Sequence, residues 1–374
     1  MEKQYEFRAV LNAKVVKKLA IGIQNVYPKF DSKNFQKEIN KTIDQLAFKE
    51  RAQLIAGFLK KYLPKDYPAA AKILLDSLGS AKEGDKLTGN DTFYYMPHGV
   101  YVMQEGLAEE DFEQSMELVY ELTKRFTSEW TIRAFLEKYP KRTLKRLAKW
   151  VKDKDEHVRR LVSEGTRPRL PWASHLVEFQ KNPRPALKLL EQLKEDKSLY
   201  VRRSVANHLN DIAKDHPDLV TSTLKEWKKI ENEDTQWLIR HALRTLVKAG
   251  NADALELLGY AKNPAISISN LKVDKTSLKV GEILVFDFDI SSSSKKDQQL
   301  MVDYVVHYMK ANGKLAPKVF KLKKVALAAE ETMHFSKKQS FKLISTRKFH
   351  AGKHRIEIQV NGQRFGNIEF ELKD

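Results

Sequence analysis

The hydrophobic period changes once along this chain, near Asn263-Pro264, and that change restricts the fold to helices followed by strands. Before it, apolar residues recur every three or four positions. Val15, Val16, Leu19, Ile23 and Val26 share one helical face. Ile43, Leu46, Ala47, Leu54, Ile55, Phe58 and Leu59 continue the pattern until Leu63-Pro64 ends it. Gly79, Gly84, Gly89 and Asn90 predict a longer loop ahead of Tyr94–Gly99. After the change the period is two. Leu284, Phe286, Phe288 and Ile290 alternate with Val285, Asp287 and Asp289, and Val302, Tyr304, Val306 and Tyr308 alternate before Asn312-Gly313. Ile356, Ile358 and Val360 run into Asn361-Gly362, with Phe365, Ile368, Phe370 and Leu372 beyond. Alternation punctuated by Asn-Gly predicts hairpins, and Ser291–Ser294 with Lys295-Lys296 predicts a loop at one end.

The helical part repeats. His157-Val158-Arg159-Arg160-Leu161 returns 43 residues later as Tyr200-Val201-Arg202-Arg203-Ser204, and Trp237-Leu238-Ile239-Arg240-His241 follows after a further 38, aligning Arg240 with Arg202. Trp130-Thr131-Ile132-Arg133 is a less regular earlier copy. Such periods in an all-helical chain predict HEAT- or armadillo-like helix pairs stacked as a solenoid. The expected fold is therefore mostly α, a HEAT-like solenoid over residues 1–262, followed by a small all-β immunoglobulin-like sandwich over 266–374.

Charge narrows the partner. The net charge is +18, and both parts are positive, with 47 basic against 37 acidic residues in 1–265 and 20 against 12 in 266–374. Charge spread in this way points to a polyanion, usually nucleic acid, although solubility also accounts for it. The absence of cysteine excludes disulfides, zinc–cysteine sites, iron–sulfur clusters and a thiol nucleophile. No phosphate loop, dinucleotide fingerprint or nucleophile elbow occurs, and His350 and His354 in the β part do not make a metal pair, so no cofactor and no metal are expected. Met1–Phe7 lacks a signal-peptide layout and no long apolar run suggests a membrane span, so a cytoplasmic monomer is expected.

Polar residues concentrate in Val158–Trp172. Val158, Leu161 and Val162 face inward, while Arg160 and Glu164, four apart, share another face. Gly165 can end the helix, and Pro168 and Pro171 stiffen the chain that delivers Trp172. Two readings fit, a surface ion pair or part of a site. In the next copy Val201, Val205, Leu209 and Ile212 form a buried arc, and Arg203, Asn207 and Asp211 a separate stripe. That stripe suits either a carboxylate orienting water or an inter-repeat hydrogen-bond ladder. Arg240, Arg244 and Lys248, and the basic run Lys138–Lys154, are either phosphate contacts or solvated faces.

Three of these stretches, Thr123–Leu136, Val158–Trp172 and Val201–Asp211, resemble in order the motifs of the DNA alkylation repair glycosylases of the AlkC type. The similarity extends over most of residues 1–262, and part of that family carries a trailing immunoglobulin-like domain. The resemblance implies hydrolysis of the N-glycosidic bond of cationic methylated bases in duplex DNA, 3-methyladenine foremost, with 3-methylcytosine and 1-methyladenine in some members, without a flipped-base pocket. By motif position it implies Glu129, Glu164 and Asp211 as the acids and Trp172 as an aromatic face for the cationic sugar or base. It implies DNA contacts from Arg133, Arg159, Arg167, Arg169, Arg203 and Asn207, alongside Arg240, Arg244 and Lys248, with Arg160 holding a phosphate or a carboxylate. No catalytic lysine is needed, so a monofunctional enzyme is expected. The chain departs from the family at Trp130-Thr131 and Ala134, which bears on base preference. A non-catalytic DNA- or protein-binding scaffold would have no use for acids in a basic groove, so their scattering beyond about 10–15 Å would favour the scaffold.

Overall fold

The computed structural model describes residues 7–79, 89–343 and 348–373. The expectations for Met1–Glu6 and Gly84 lie outside the described residues. The chain divides into two compact units, Met1–Asp215 and His216–Asp374. The change from helix to strand falls later, between Leu257 and Ile266. No helix among the described residues is long and apolar enough to cross a membrane.

The first unit holds α1 (Ala13–Val26), α2 (Ser32–Asn40), α3 (Phe48–Tyr62), α4 (Tyr67–Ser77), α5 (Met96–Glu105) and α6 (Phe112–Thr123). It continues with α7 (Glu129–Lys138), α8 (Pro140–Trp150), α9 (Glu156–Gly165), α10 (Val177–Lys181), α11 (Arg184–Leu193) and α12 (Leu199–Ile212). Local chemistry places the ends. The Asn12 carboxamide accepts the Lys14 and Val15 amides to start α1, whose buried face is Val16, Leu19, Ala20 and Ile23. Val26 closes that helix and is exposed rather than inward. The period over 43–59 is one pattern but not one helix. Glu50 accepts the Ala47 amide at 2.8 Å, while Arg51 donates to the carbonyls of Leu46, Asp44 and Leu11, so the chain turns at Leu46-Ala47 and restarts as α3. Pro140 opens α8 with only Tyr139 between it and α7, a position where the missing amide costs nothing.

The repeat motifs are the helices α9 and α12, and they share an internal arginine. Arg159 donates to the carbonyls of Asp153 and Lys154 and Arg202 to that of Asp196, each closing the turn before its own helix. Arg240 is exposed, so the third copy lacks this device.

The second unit begins with α13 (Pro217–Trp227), α14 (Glu233–Ala242), α15 (Arg244–Ala249) and α16 (Ala252–Leu257). Strands β1 (Ile266–Val273), β2 (Ser277–Lys279), β3 (Ile283–Ser292), β4 (Gln298–Met309), β5 (Leu315–Leu327), β6 (Thr332–Ser340), β7 (Gly352–Val360) and β8 (Gln363–Lys373) follow. They form sheets ordered β1-β3-β6 and β2-β8-β7-β4-β5, antiparallel except for β2 beside β8. Leu284, Phe286, Phe288 and Ile290 pack against Leu300, Val302, Tyr304, Val306, Ile356 and Ile358 to fill the sandwich. Strand β4 departs from alternation: Met301, Asp303 and Val305 are buried as well, in keeping with the almost unbroken apolar run Leu300–Tyr308.

The Asn361-Gly362 turn does more than reverse the chain. Both residues have positive φ (47° and 82°), as a two-residue hairpin turn requires. Asn361 also accepts the Met301 amide and donates to the Ala261 carbonyl, and Gly362 lies against Gly250, the left-handed residue after α15. A Cβ on Gly362 would stand 2.3 Å from the Gly250 carbonyl oxygen. Gly362→Ala is therefore expected to destabilise the second unit by about 1–3 kcal/mol, seen by calorimetry as a lower melting temperature for the transition that includes the sandwich. An unchanged transition would contradict this packing.

Candidate active site

Three neighbouring helices, α7, α9 and α12, carry the polar residues expected of the site. Val158, Leu161 and Val162 of α9 and Val201, Val205 and Leu209 of α12 are buried, so the opposite edges of these helices meet the next element in line. Gly165 permits the close approach of α9 to α7. A Cβ there would lie 2.5 Å from Ile132 Cγ2. It is the last helical residue, as expected from sequence, and its need for glycine is one of packing against α7.

Along these helices runs a ladder of alternating charge. The Arg160 guanidinium lies 3.4 Å from Glu129 Oε2 through one nitrogen and 3.4 Å from Glu164 Oε1 through another. It also donates to Thr127 Oγ1 at 2.8 Å and sits over the Tyr200 ring. Arg167 donates to Glu164 Oε1 at 2.7 Å and to Asp211 Oδ2 through Nε and Nη2 at 2.8 and 2.7 Å. Ser204 donates to Glu164 Oε2 at 2.6 Å, and Lys214 reaches Asp211 Oδ1 at 3.0 Å. The three acids named from sequence thus belong to one network and are not scattered. Glu129 and Glu164 share a single arginine.

Only part of the ladder faces open space. A cavity of about 270 Å³ is lined by Phe48, Phe93, Met96, Phe126, Trp130 and Trp172, with Glu129, Glu164 and Arg167 on its polar side. Asp211 is not in its wall. Trp172, 56% exposed, comes from the segment that links α9 to α10. That segment is held from three sides. Arg133 donates to the carbonyls of Gly165, Arg167 and Ser174, Arg169 pairs with both oxygens of Asp215, and Lys49 donates to the Trp172 carbonyl at 2.9 Å. Lys49 also lies 4.9 Å from the Trp130 ring centroid.

Environment separates the two glutamates. Burial pushes the Glu129 carboxyl above its ordinary range, more than Arg160 can offset. Glu164 feels burial too, but Arg160, Arg167 and the Ser204 hydroxyl together hold it below that range. A carboxylate ready to take a proton therefore stands beside one that stays ionised.

Several arginines expected at DNA are committed elsewhere. Arg133 is buried among backbone carbonyls, and Arg159 gives its guanidinium to Asp196 and to two carbonyls, so neither offers a phosphate contact. Arg167 is likewise spent on Glu164 and Asp211, and Arg169 is half-buried on Asp215. Arg203, Arg240, Arg244 and Lys248 are exposed, and Asn207 is half-buried. The stripe Arg240–Arg244–Lys248 crosses a break between α14 and α15. Sequence reasoning missed the aromatic wall from Phe48, Phe93 and Phe126, and missed Ser204. For the wall the signal was faint, because Phe48 opens a helix, Phe93 lies in a short 3₁₀ helix and Phe126 in a loop, far apart in the chain.

A helical-repeat unit with a buried carboxylate–arginine ladder opening into an aromatic cavity, in a chain that ends in an immunoglobulin-like sandwich, defines the class. The profile described as DNA alkylation repair enzyme matches residues 104–246, and that described as YhaZ, C-terminal Ig-like domain, matches 267–374. The uncharacterized protein YhaZ of Bacillus subtilis (strain 168) is 34% identical over 368 residues, 98% of this chain and 99% of its own. The structure of Pseudomonas fluorescens alkylpurine DNA glycosylase AlkC, bound to DNA containing an abasic site analog, is 38% identical with a TM-score of 0.84, covering 99% of this chain and 100% of that one. The chain belongs to the AlkC-type family of DNA alkylation repair enzymes.

The pKa displacements have opposite signs for stability. Glu129 binds its proton more tightly folded than unfolded, so its contribution is present in acid and lost as pH rises through the folded value. Glu164 contributes at neutral pH and loses that contribution as pH falls through its own folded value. Glu129→Gln is therefore expected to raise the urea midpoint near neutral pH, with the gain vanishing in acid. Glu164→Gln is expected to lower it near neutral pH, with the loss shrinking in acid. The same sign for both variants would contradict the split.

Proposed function

We propose that this chain is a monofunctional DNA glycosylase that releases cationic alkylated bases, 3-methyladenine foremost, from duplex DNA. The observation that carries the reading is the pairing of two differently tuned glutamates at one side of an aromatic cavity. The leaving base already bears a positive charge, so no acid need protonate it. As the bond from C1′ to the base nitrogen breaks, its electron pair neutralises the base, and the sugar takes on oxocarbenium character. Glu164, ionised and fixed, stabilises that charge. Glu129 accepts the proton of the water whose oxygen bonds to C1′, leaving an abasic site and a neutral base. Trp172 and Trp130 present π-faces to the cationic lesion. Exposed Arg203, Arg240, Arg244 and Lys248 supply candidate phosphate contacts, and the likeness to AlkC bound to DNA supports a duplex partner.

Single-turnover release of methylated base from alkylated duplex tests this. Wild-type protein is expected to release 3-methyladenine, and Glu164→Gln to slow release on the order of 10²–10³-fold. Absence of release by the wild type would overturn the reading. The rate is also expected to fall on the acid side with a midpoint above the ordinary glutamate range, because Glu129 must be ionised to act. In Glu129→Gln that limb should disappear from the residual rate. Its persistence would remove Glu129 from the role.

A further inference from the structure

We propose that Arg167 is a positioning residue that fixes Glu164, and that Asp211 acts through it as a counter-charge rather than on the sugar. The inference rests on the glycosylase reading above.

The stripe that works on α12 is offset from the one legible in sequence. Instead of Arg203–Asn207–Asp211, it is Ser204, His208 and Asp211 that reach back to the end of α9. His208 Nδ1 meets the Ser163 carbonyl oxygen at 3.0 Å, and burial holds this imidazole neutral, at about 3. Ser204 donates to Glu164 Oε2, and Asp211 holds Arg167, which donates to Oε1. Each oxygen of Glu164 is thus secured from the same helix, one directly and one through an arginine. A carboxylate gripped at both oxygens cannot rotate away from its target, which is what a preorganised charge requires.

Arg167 also creates a difficulty that Asp211 resolves. Its guanidinium forms part of the cavity wall, which would face a cationic lesion. Along the ladder, Glu129 and Glu164 are matched by Arg160 and Arg167, leaving no net negative charge among these four side chains. Asp211, only 3% exposed and on the far side of Arg167, restores it. Lys214, on the other oxygen of Asp211, has a side chain 43% exposed, so water screens it more than the buried members. Because Arg167 is 8% exposed with Nε, Nη1 and Nη2 all engaged, it has nothing to offer a phosphate.

The test compares wild type, Arg167→Met, Asp211→Asn and the double variant for single-turnover release of 3-methyladenine, and for salt-dependent binding to undamaged duplex. Melting temperatures confirm folding, and Asp211→Ser, which also removes the charge, replaces Asp211→Asn should the latter not fold. Each single substitution is expected to slow release, and the double to be about tenfold faster than Asp211→Asn alone, because removing Arg167 also removes the stranded charge. Binding to undamaged duplex and its salt dependence should be unchanged in Arg167→Met. Multiplying losses in the double variant would overturn the inference by placing Asp211 on the substrate itself. Weaker undamaged binding with a shallower salt slope would overturn it by making Arg167 a phosphate contact. Wild-type protein that releases no base would instead overturn the glycosylase reading, and this inference with it.

Discussion

Glu164 is an ionised carboxylate in a nearly dry place, and most of the first unit's polar architecture serves to keep it so. Burying an isolated carboxylate costs several kcal/mol, of order enough to neutralise the group or unfold the region. Here the cost is met by Arg160, Arg167 and Ser204, contributed from α9, the segment after it, and α12. Those partners are themselves buried and need partners, which is why the ladder runs on to Glu129 and Asp211. Once a chain commits to one such charge, neighbouring repeats are constrained to supply the rest.

The ladder demands accurate spacing between helices, and the neighbouring residues provide it. Gly165 lets α9 approach Ile132 of α7, while Arg133 ties α7 to both ends of the segment carrying Trp172. The internal arginines Arg159 and Arg202 close the turns before their helices, which sets where each helix begins and so where Glu164 and Asp211 fall. Glu129 is the exception to this mutual satisfaction. Its burial outweighs its single arginine, and that imbalance is what suits it to take a proton.

Much of this was legible in the sequence, for identifiable reasons. The repeat copies marked α9 and α12, since an arc such as Val201–Val205–Leu209 has no other way to be buried. The hairpin at Asn361-Gly362 followed from turn chemistry, and β3 from strict alternation. Strands β1, β5 and β6 carried no comparable signal; β5 is an edge strand dense in lysine, a composition that guards edges but obscures the period. The acids Glu129, Glu164 and Asp211 were named through family resemblance, and their arrangement was not foreseeable. Arginines that the resemblance sent to phosphate, Arg133, Arg159 and Arg167, turn inward, because a charged side chain in a helical pattern does not announce whether its partner lies outside or in the next repeat. Ser204 was hidden for the same reason, one position away from the stripe that helical spacing suggested.

Two adjacent glutamates that share one arginine are driven apart in proton affinity. Side-chain carboxyl ¹³C titration of the folded protein, with Glu129→Gln and Glu164→Gln assigning the signals, measures it directly. Glu129 is predicted to titrate above the ordinary glutamate range and Glu164 below it. Both titrating together within that range would contradict the account.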